Sequence, residues 1–442
     1  MAQSSATPLK TIATLLLLLL ALPFNLAIVL PTLLWSVIFP AKCAVSTSLK
    51  TVLITGGKMT KALQLARSFH AAGHRVILIE TEKYWLTGHQ FSNAVDRFYT
   101  VPDPQKSTDA YIQALQQIVE QEKVNVLVPV TSPAESYYVS LAKPFLTCEV
   151  FHFDKEITTL LDDKFAFAEQ ARSLNLAIPK SFKITDPSQV LNFDFAEATR
   201  PYILKSIPYD SVRRLNLTKL PCKTSEETAA FVNSLPISEA KPWIMQEFIS
   251  GQEFCTHSTL RNGELRLHCC CESSAFQVNY QNINHPQILD WVTEFAKNLN
   301  LTGQASFDFI QSENGEVYAI ECNPRTHSAI TMFYNHPQVA EAYLESHLLP
   351  EPLQPLATSK PTYWTYHELW RLLNVRSFQD VQTRLQILFN GKDAIFSVAD
   401  PLPFLMVHHF QIPLLLLTNF WRGGGWIRID FNIGKLVELG GD

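Results

Sequence analysis

The chain is 442 residues long, 47% hydrophobic and 17% charged, with a formal net charge of -5. That length exceeds one ordinary core and predicts two or three domains. The acidic balance excludes a basic nucleic-acid surface, and the apolar content excludes wholesale disorder.

Eight cysteines follow no regular framework, and the consecutive Cys269, Cys270 and Cys271 suit neither a disulfide ladder nor a CxxC metal site. Packed thiols in a reducing cytosol are expected, with Cys270 on the opposite strand face from its neighbours. Residues 11–41 carry no charge and are long enough to enter or cross a bilayer. A cleaved signal peptide competes, but the run is overlong and the 40–43 segment gives a poor cleavage pattern. Pro23, Pro31 and Pro40 allow one kinked, tilted span or a re-entrant hairpin, and Lys10, Lys42 and Lys50 leave orientation open.

Residues 51–55 (TVLIT) read as a buried strand, followed by Gly56, Gly57, a helix over 60–71 and a strand over 75–80 (RVILIE). Strand, glycine turn, helix and strand ending in an acid resemble half of a dinucleotide fold. Without GxGxxG, a small α/β domain used for packing or for a small substrate is expected rather than NAD binding. A helix over 111–122 and a strand over 124–130 follow, and Glu80 and Ser132 at strand ends either face a ligand or, the default for Ser132, cap helices.

Asp162, Asp163 and Lys164 open a new unit with a helix that stops before Pro179. The strand 202–206 (YILKS) holds Lys205, a position where lysine snorkels, pairs or meets an anion. The loop IPYDSVRRLN offers Ser211, Arg213 and Arg214 as a phosphate-covering flap or an exposed basic turn. A strand over 243–249 (WIMQEFI) carries Gln246 and Glu247, with Glu253 beyond. Such a strand's backbone can read adenine while a nearby carboxylate takes ribose hydroxyls. Strands over 265–272 and 274–279 and a helix over 286–299 come next.

Phe307, Phe309 and Ile310, a polar turn over 311–315 and a strand over 317–322 predict a hairpin. Glu321 and Asn323 are two apart and project to one side of an extended chain, where Asp308 can reach them from the neighbouring strand. Two carboxylates and an amide are hard oxygen ligands suited to magnesium held against phosphates. Arg325 adds a fork for phosphate or carboxylate. The plainer reading is solvated acids at a hairpin end, but Ala319, Ile320 and Cys322 around Glu321 make an unpaired carboxylate costly there. Beyond residue 350, Trp364, Trp370, Leu372 and Leu373 predict a short helix. Residues 401–421 again lack charge, and Pro401, Pro403 and Pro413 predict a buried helix or interfacial patch rather than a straight span. His408 and His409, adjacent on a helix, are expected as core or interface residues rather than a metal pair.

Taken in order, Lys164, Lys205, the QEFI strand and Asp308 with Glu321, Cys322, Asn323, Pro324 and Arg325 resemble an ATP-grasp ligase over roughly 52–349. The resemblance implies an α/β (α+β) ATP-grasp fold behind a Rossmann-like pre-ATP-grasp domain. The expected division is an anchor and linker over 1–50, the Rossmann-like domain over 51–155, the ATP-grasp domain over 156–350 and an extension with an apolar segment over 351–442. It further implies ATP and Mg2+ as cofactors. Lys164 and Lys205 would contact ATP phosphates, Lys205 also lying near the adenine, with Gln246, Glu247 and Glu253 around adenine and ribose. Asp308, Glu321 and Asn323 would hold magnesium, and Arg325 with Lys205 would stabilise the transferred phosphoryl group. The flap departs from the family in having no glycine, so Ser211, Arg213 or Arg214 would supply the missing donors.

A narrower resemblance is carried by GGKMTKALQLARSFHAAGHRVILIE, KSFKITDP, LKSIPYDSVRRLNLTKLPC, IECNPRTHSAITMFYNHP and FNIGKLVELGGD. It is to the cyanobacterial ATP-grasp ligases of mycosporine-like amino acid formation. It implies that ATP phosphorylates the enolic oxygen of 4-deoxygadusol and that glycine's amine displaces phosphate, with Asp210 or His327 available to take a proton. Two other readings stand beside it: a carboxylate–amine ligase working through an acyl phosphate, and a membrane-anchored nucleotide-binding scaffold. The expected partners are small molecules, a membrane at the N-terminal segment, and neighbouring pathway enzymes or a second copy of the chain. The catalytic part is expected in the cytoplasm.

Overall fold

A computed structural model describes residues 6–39, 48–208, 213, 216–273, 279–347 and 349–438. The uncharged N-terminal run is one helix, α1 (Ala6–Ile38), which takes Pro23 and Pro31 inside it. Of the two forms those prolines allow, the re-entrant hairpin is not the one built. Among the described residues, α1 and the run Leu402–Trp421 are the two helices long and apolar enough to cross a membrane.

The first unit alternates strands and helices: β1 (Thr51–Ile54), α2 (Thr60–Ala71), β2 (Arg75–Thr81), β3 (Arg97–Val101), α3 (Thr108–Glu122), β4 (Val126–Val128), α4 (Pro133–Ala142) and β5 (Glu149–Val150). All five strands are parallel in the order β3-β2-β1-β4-β5. The VLI and VLV of β1 and β4 are buried on both faces, the pattern demanded of strands covered by helices on either side. Ser132 sits at the start of α4, its N–H donating to Glu135 Oε2 at 2.8 Å. Glu80 is buried and locked to Lys58 and Thr81 rather than open to a ligand.

The second unit begins with α5 (Lys155–Asp162) and α6 (Lys164–Ser173), the latter capped by Asp163. Next come β6 (Ser181–Ile184), α7 (Pro187–Leu191), β7 (Tyr202–Ser206), α8 (Ser225–Asn233) and β8 (Trp243–Glu247), whose three strands pair antiparallel in the order β6-β8-β7. A larger antiparallel sheet, β10-β9-β12-β13, is made by β9 (Gly251–Arg261), β10 (Glu264–Glu272), β12 (Gly303–Ser312) and β13 (Val317–Asn323). Between them lie β11 (Asn279–Tyr280) and α9 (Pro286–Asn298). Residues 274–278 of the strand expected over 274–279 lie outside the described residues. On one face of this sheet Phe167, Trp291, Phe295, Phe307 and Phe309 interlock, for example Phe167 and Phe295 edge to face at 5.5 Å. Cys270 joins that core while Cys269 and Cys271 join the core shared with the first unit, as strand alternation requires.

After α10 (Val339–Leu344), the chain forms β14 (Thr362–Tyr363), α11 (Thr365–Leu373), α12 (Phe378–Asn390) and β15 (Lys392–Asp393). It continues through α13 (Leu402–Met406), a π-helical stretch (Val407–Gln411), α14 (Ile412–Trp421) and the hairpin of β16 (Trp426–Asp430) with β17 (Lys435–Glu438). This extension is clamped to the first unit. Asp400 Oδ2 accepts from Arg67 Nε at 2.8 Å and from Ser92 Oγ at 2.6 Å, and Asn93 N–H donates to Asp400 Oδ1. Gly434 has φ +62, and a Cβ there would lie 2.2 Å from Lys58 O, so the final hairpin needs glycine where it meets the loop before α2. His408 is buried in this unit with Nδ1 on Phe404 O, and His409 contacts Asn25 of α1.

Candidate active site

The site is built on β12 and β13. Their register pairs Asp308 with Glu321 and Ser306 with Asn323, so these side chains share one face. An irregularity between Asp308 and Phe309 lets Ala319 turn into the aromatic core while Glu321 turns out of it. Asn323 Nδ2 lies 3.3 Å from Glu321 Oε1 and 3.5 Å from Asp308 Oδ2, drawing the three proposed metal ligands together. Asn323 Oδ1 accepts from Arg325 Nη2 at 2.6 Å.

Cations close over this acidic face from two other elements. Lys164, the first residue of α6, places Nζ 3.6 Å from Glu321 Oε2. Lys205 of β7 donates to Gln246 Oε1 at 3.3 Å, and both project from the same face of the small sheet. Burial lowers the Lys205 ammonium while Glu321, Asp308 and Glu253 pull it back up. Burial would raise Glu321, but Lys164, Lys205 and Arg325 outweigh it and hold the carboxyl below its ordinary range. Asp308 is pushed well up, by burial first and then by the charge of Glu321. Two carboxyls with oppositely displaced affinities, Asp308 raised and Glu321 lowered, are what a pair of like charges produces at close range.

The remaining sequence candidates fall into three groups. Glu253 lies on β9 opposite Ile310 and shares the face of Asp308. Glu247 sits at the end of β8 on the opposite face from Gln246, where its Oε2 accepts from Lys180 N–H at 3.2 Å, so its carboxylate is not brought to the cluster. Ser211, with Asp210 and Arg214, lies outside the described residues.

Sequence reasoning missed the contribution of the first unit. Lys58 Nζ is buried against Glu80 at 3.1 Å and Glu135 at 3.8 Å, beside the Tyr84 ring at 4.4 Å. Lys61 is buried too, donating to Thr326 O at 2.6 Å and Thr131 O at 3.3 Å, next door to Arg325. Burial, with the Arg325 charge second, lowers it to about 7. The only hint in the sequence was two lysines three apart at the start of a helix, a spacing that marks one face.

The residue types fit a hard divalent cation: the carboxylates of Asp308 and Glu321 meet at the Asn323 amide, whose oxygen here accepts from Arg325, while Arg325 Nε, buried without a partner among the described residues, suits an anion beside them. Comparison of the sequence with known families gives no match, and neither does comparison with curated proteins. Comparison of the fold does. The chain is similar to a biotin carboxylase of Campylobacter jejuni in complex with β,γ-ATP, at TM-score 0.53 and 15% identity over 69% of this chain and 72% of that one. It is also similar to the N5-carboxyaminoimidazole synthase of Aspergillus clavatus in complex with ADP and an aminoimidazole ribonucleotide, at TM-score 0.53 and 11% identity over 71% and 80%. A third similarity is to the N5-carboxyaminoimidazole synthetase of Staphylococcus aureus with ADP, at TM-score 0.51 and 14% identity over 73% and 82%. The chain therefore has an ATP-grasp fold with a Rossmann-like unit ahead of it.

Proposed function

We propose that this chain is an ATP-dependent ligase that phosphorylates an oxygen of one small substrate and passes the activated group to an amine. The observation that carries this reading is the convergence of Asp308, Glu321 and Asn323 with Lys164, Lys205 and Arg325 on one face of an ATP-grasp sheet. Asp308, Glu321 and Asn323 are the residues to hold magnesium, which when bound neutralises phosphate oxygens. Lys164 and Lys205 sit where they can hold ATP phosphates, with Gln246 and Glu253 beside them. Ser211 is assigned to the flap over the phosphates. Glu247, its carboxylate held by Lys180 N–H, would serve adenine through backbone groups. Arg325, fixed by Asn323, offers its remaining donors to the phosphoryl group in flight.

The reaction balances without a protein nucleophile. The acceptor oxygen takes the γ-phosphoryl group and ADP leaves. The amine nitrogen then bonds to the activated carbon, the carbon–oxygen bond breaks, phosphate departs with that oxygen, and the amine gives up a proton. Two acceptor classes suit this chemistry. The fold neighbours, named as carboxylase and carboxyaminoimidazole synthetases, favour a carboxylate and an acyl phosphate. The five sequence stretches that resemble the mycosporine-forming ligases favour the enol of 4-deoxygadusol, with glycine as amine and an enaminone as product.

Incubating the protein with ATP, magnesium and paired acceptors and amines, with ADP and product mass followed together, separates these forms. An amide identifies the carboxylate reading and a conjugated enaminone the enol reading. ATP binding with no substrate-dependent ADP overturns both in favour of a nucleotide-binding scaffold. The site is also proposed to work at a membrane, an assignment supported by the apolar surface of α1.

A further inference from the structure

We infer that α1 does not cross the bilayer but lies in the plane of one leaflet, holding the folded body flat against anionic lipid. The inference rests on the membrane association proposed above and concerns how that association is made.

The helix is docked along its length. Thr11, Leu18 and Asn25, at seven-residue spacing, are buried with Val29 and Ser36; Leu15, Leu22 and Leu26 are half-buried against the same core, and the opposite face is exposed. At one end Lys10 Nζ donates to Ile427 O at 2.6 Å and lies 3.8 Å above the Trp426 ring, and Trp426 Nε1 donates to Thr11 Oγ1 at 2.9 Å. In the middle Asn25 Nδ2 meets Tyr366 OH at 2.7 Å and His409 Nε2 at 2.6 Å. From Lys10 to Ser36 the buried seam runs about 39 Å at 1.5 Å per residue, longer than the roughly 30 Å of a bilayer's hydrocarbon core. The two helical residues beyond it, 37 and 38, add only about 3 Å and cannot cross one.

The helices beneath α1 cannot leave the body to cross with it. Val407, Ile412 and Leu416 are buried in the shared core, Gln411 Oε1 accepts from Gly88 N–H at 2.7 Å, and Asp400 is tied to Arg67. The outward surface is apolar well beyond α1. Leu20 (68%) and Phe24 (72%) are exposed on α1, and Trp421 (84%) on α14. On α11 and α12, Leu373 (79%), Phe378 (84%) and Phe389 (78%) are exposed as well. Trp421 with Arg422 at the end of α14, and Arg428 beside the Ile427 that Lys10 holds, are exposed and supply what a headgroup layer with negative charge attracts.

The test uses the full chain added to preformed vesicles of phosphatidylcholine and phosphatidylglycerol, so that the folded body stays outside. Leu9→Cys and Leu49→Cys are made singly in a background with Cys43, Cys148 and Cys222 changed to Ser. Each is treated with a membrane-impermeant maleimide before and after detergent. Flotation with the vesicles, together with labelling of both positions to the same extent before and after detergent, is the expected result. Flotation with Leu9→Cys protected until detergent is added means that the helix crosses, and overturns the in-plane inference alone. Failure to float, as a monomer or as a detergent-free dimer joined through this face, overturns the inference together with the membrane reading beneath it.

Discussion

Glu321→Gln is the substitution that separates the chemistry of the site from its architecture. Lys164 Nζ lies 3.6 Å from the Glu321 carboxylate, and at an effective dielectric of 20 this attraction is worth roughly 4.6 kcal/mol gross. The two side chains are 20% and 29% exposed, so water screening and lost side-chain freedom reduce the net to ~1 kcal/mol of stability. Removing the charge also relieves Asp308, whose raised carboxyl owes its second-largest push to Glu321. The fold should therefore lose little while the site loses a metal ligand and most of its negative charge. Turnover should drop roughly 10²–10³-fold, as when a preorganised transition-state group is deleted. Substrate-dependent ADP release reports turnover, calorimetry reports MgATP binding, and urea unfolding reports stability. Turnover within a few-fold of the parent, with stability unchanged, would refute the metal assignment. A collapse of stability would show that Glu321 is a structural partner of Lys164 instead.

Lys205→Ala should weaken ATP use by roughly 10-fold or more, the value of one charge-assisted contact to phosphate, in an ATP titration. Unchanged ATP kinetics would return this lysine to a packing role. Lys61 is lowered to about 7, first by burial, against an unfolded value near 10.5. Between those values the unfolded chain binds more protons, so its contribution to stability rises with pH across that window, by on the order of 5 kcal/mol in full. Lys61→Met should flatten the unfolding curve between pH 7 and 9.5, and an unchanged slope would contradict a neutral buried lysine. Asp400 accepts from Arg67, Ser92 and Asn93, so Asp400→Ala should cost about 3–5 kcal/mol of docking energy. Limited proteolysis should then cut first in the C-terminal extension, and wild-type resistance would refute the clamp.

The hairpin that carries Asp308 and Glu321 was legible because its two apolar runs alternate on either side of a polar turn, as were the strand–helix alternation of the first unit and the helix Thr365–Leu373. The strand β9 was not. Its Thr256, His257, Ser258 and Thr259 show no apolar alternation and drew no assignment, yet all are fully buried, satisfied for example by the Thr256 hydroxyl on Phe307 O and by His257 beside Tyr343. Polar residues buried between units carry no local hydrophobic period. The Lys58, Glu80 and Glu135 cluster escaped for a related reason, since charges distant in sequence are paired only once the sheet is assembled. Strand alternation, applied across β8, was enough to show that Glu247 and Gln246 point to opposite faces, a consequence of period two that the run WIMQEFI already contained. The in-plane docking of α1 was not legible at all, because an uncharged run states its affinity for lipid but not the seam that Thr11, Leu18 and Asn25 make with the C-terminal helices.

The central claim is that an acceptor oxygen is phosphorylated before an amine displaces it. Supplying the acceptor with 18O at its carboxylate or enol position and analysing the inorganic phosphate tests this directly. Ligation through a phosphorylated acceptor transfers one labelled oxygen to phosphate for each product formed, for amide and enaminone alike. Phosphate released without label, or product formed without ADP, would contradict the mechanism.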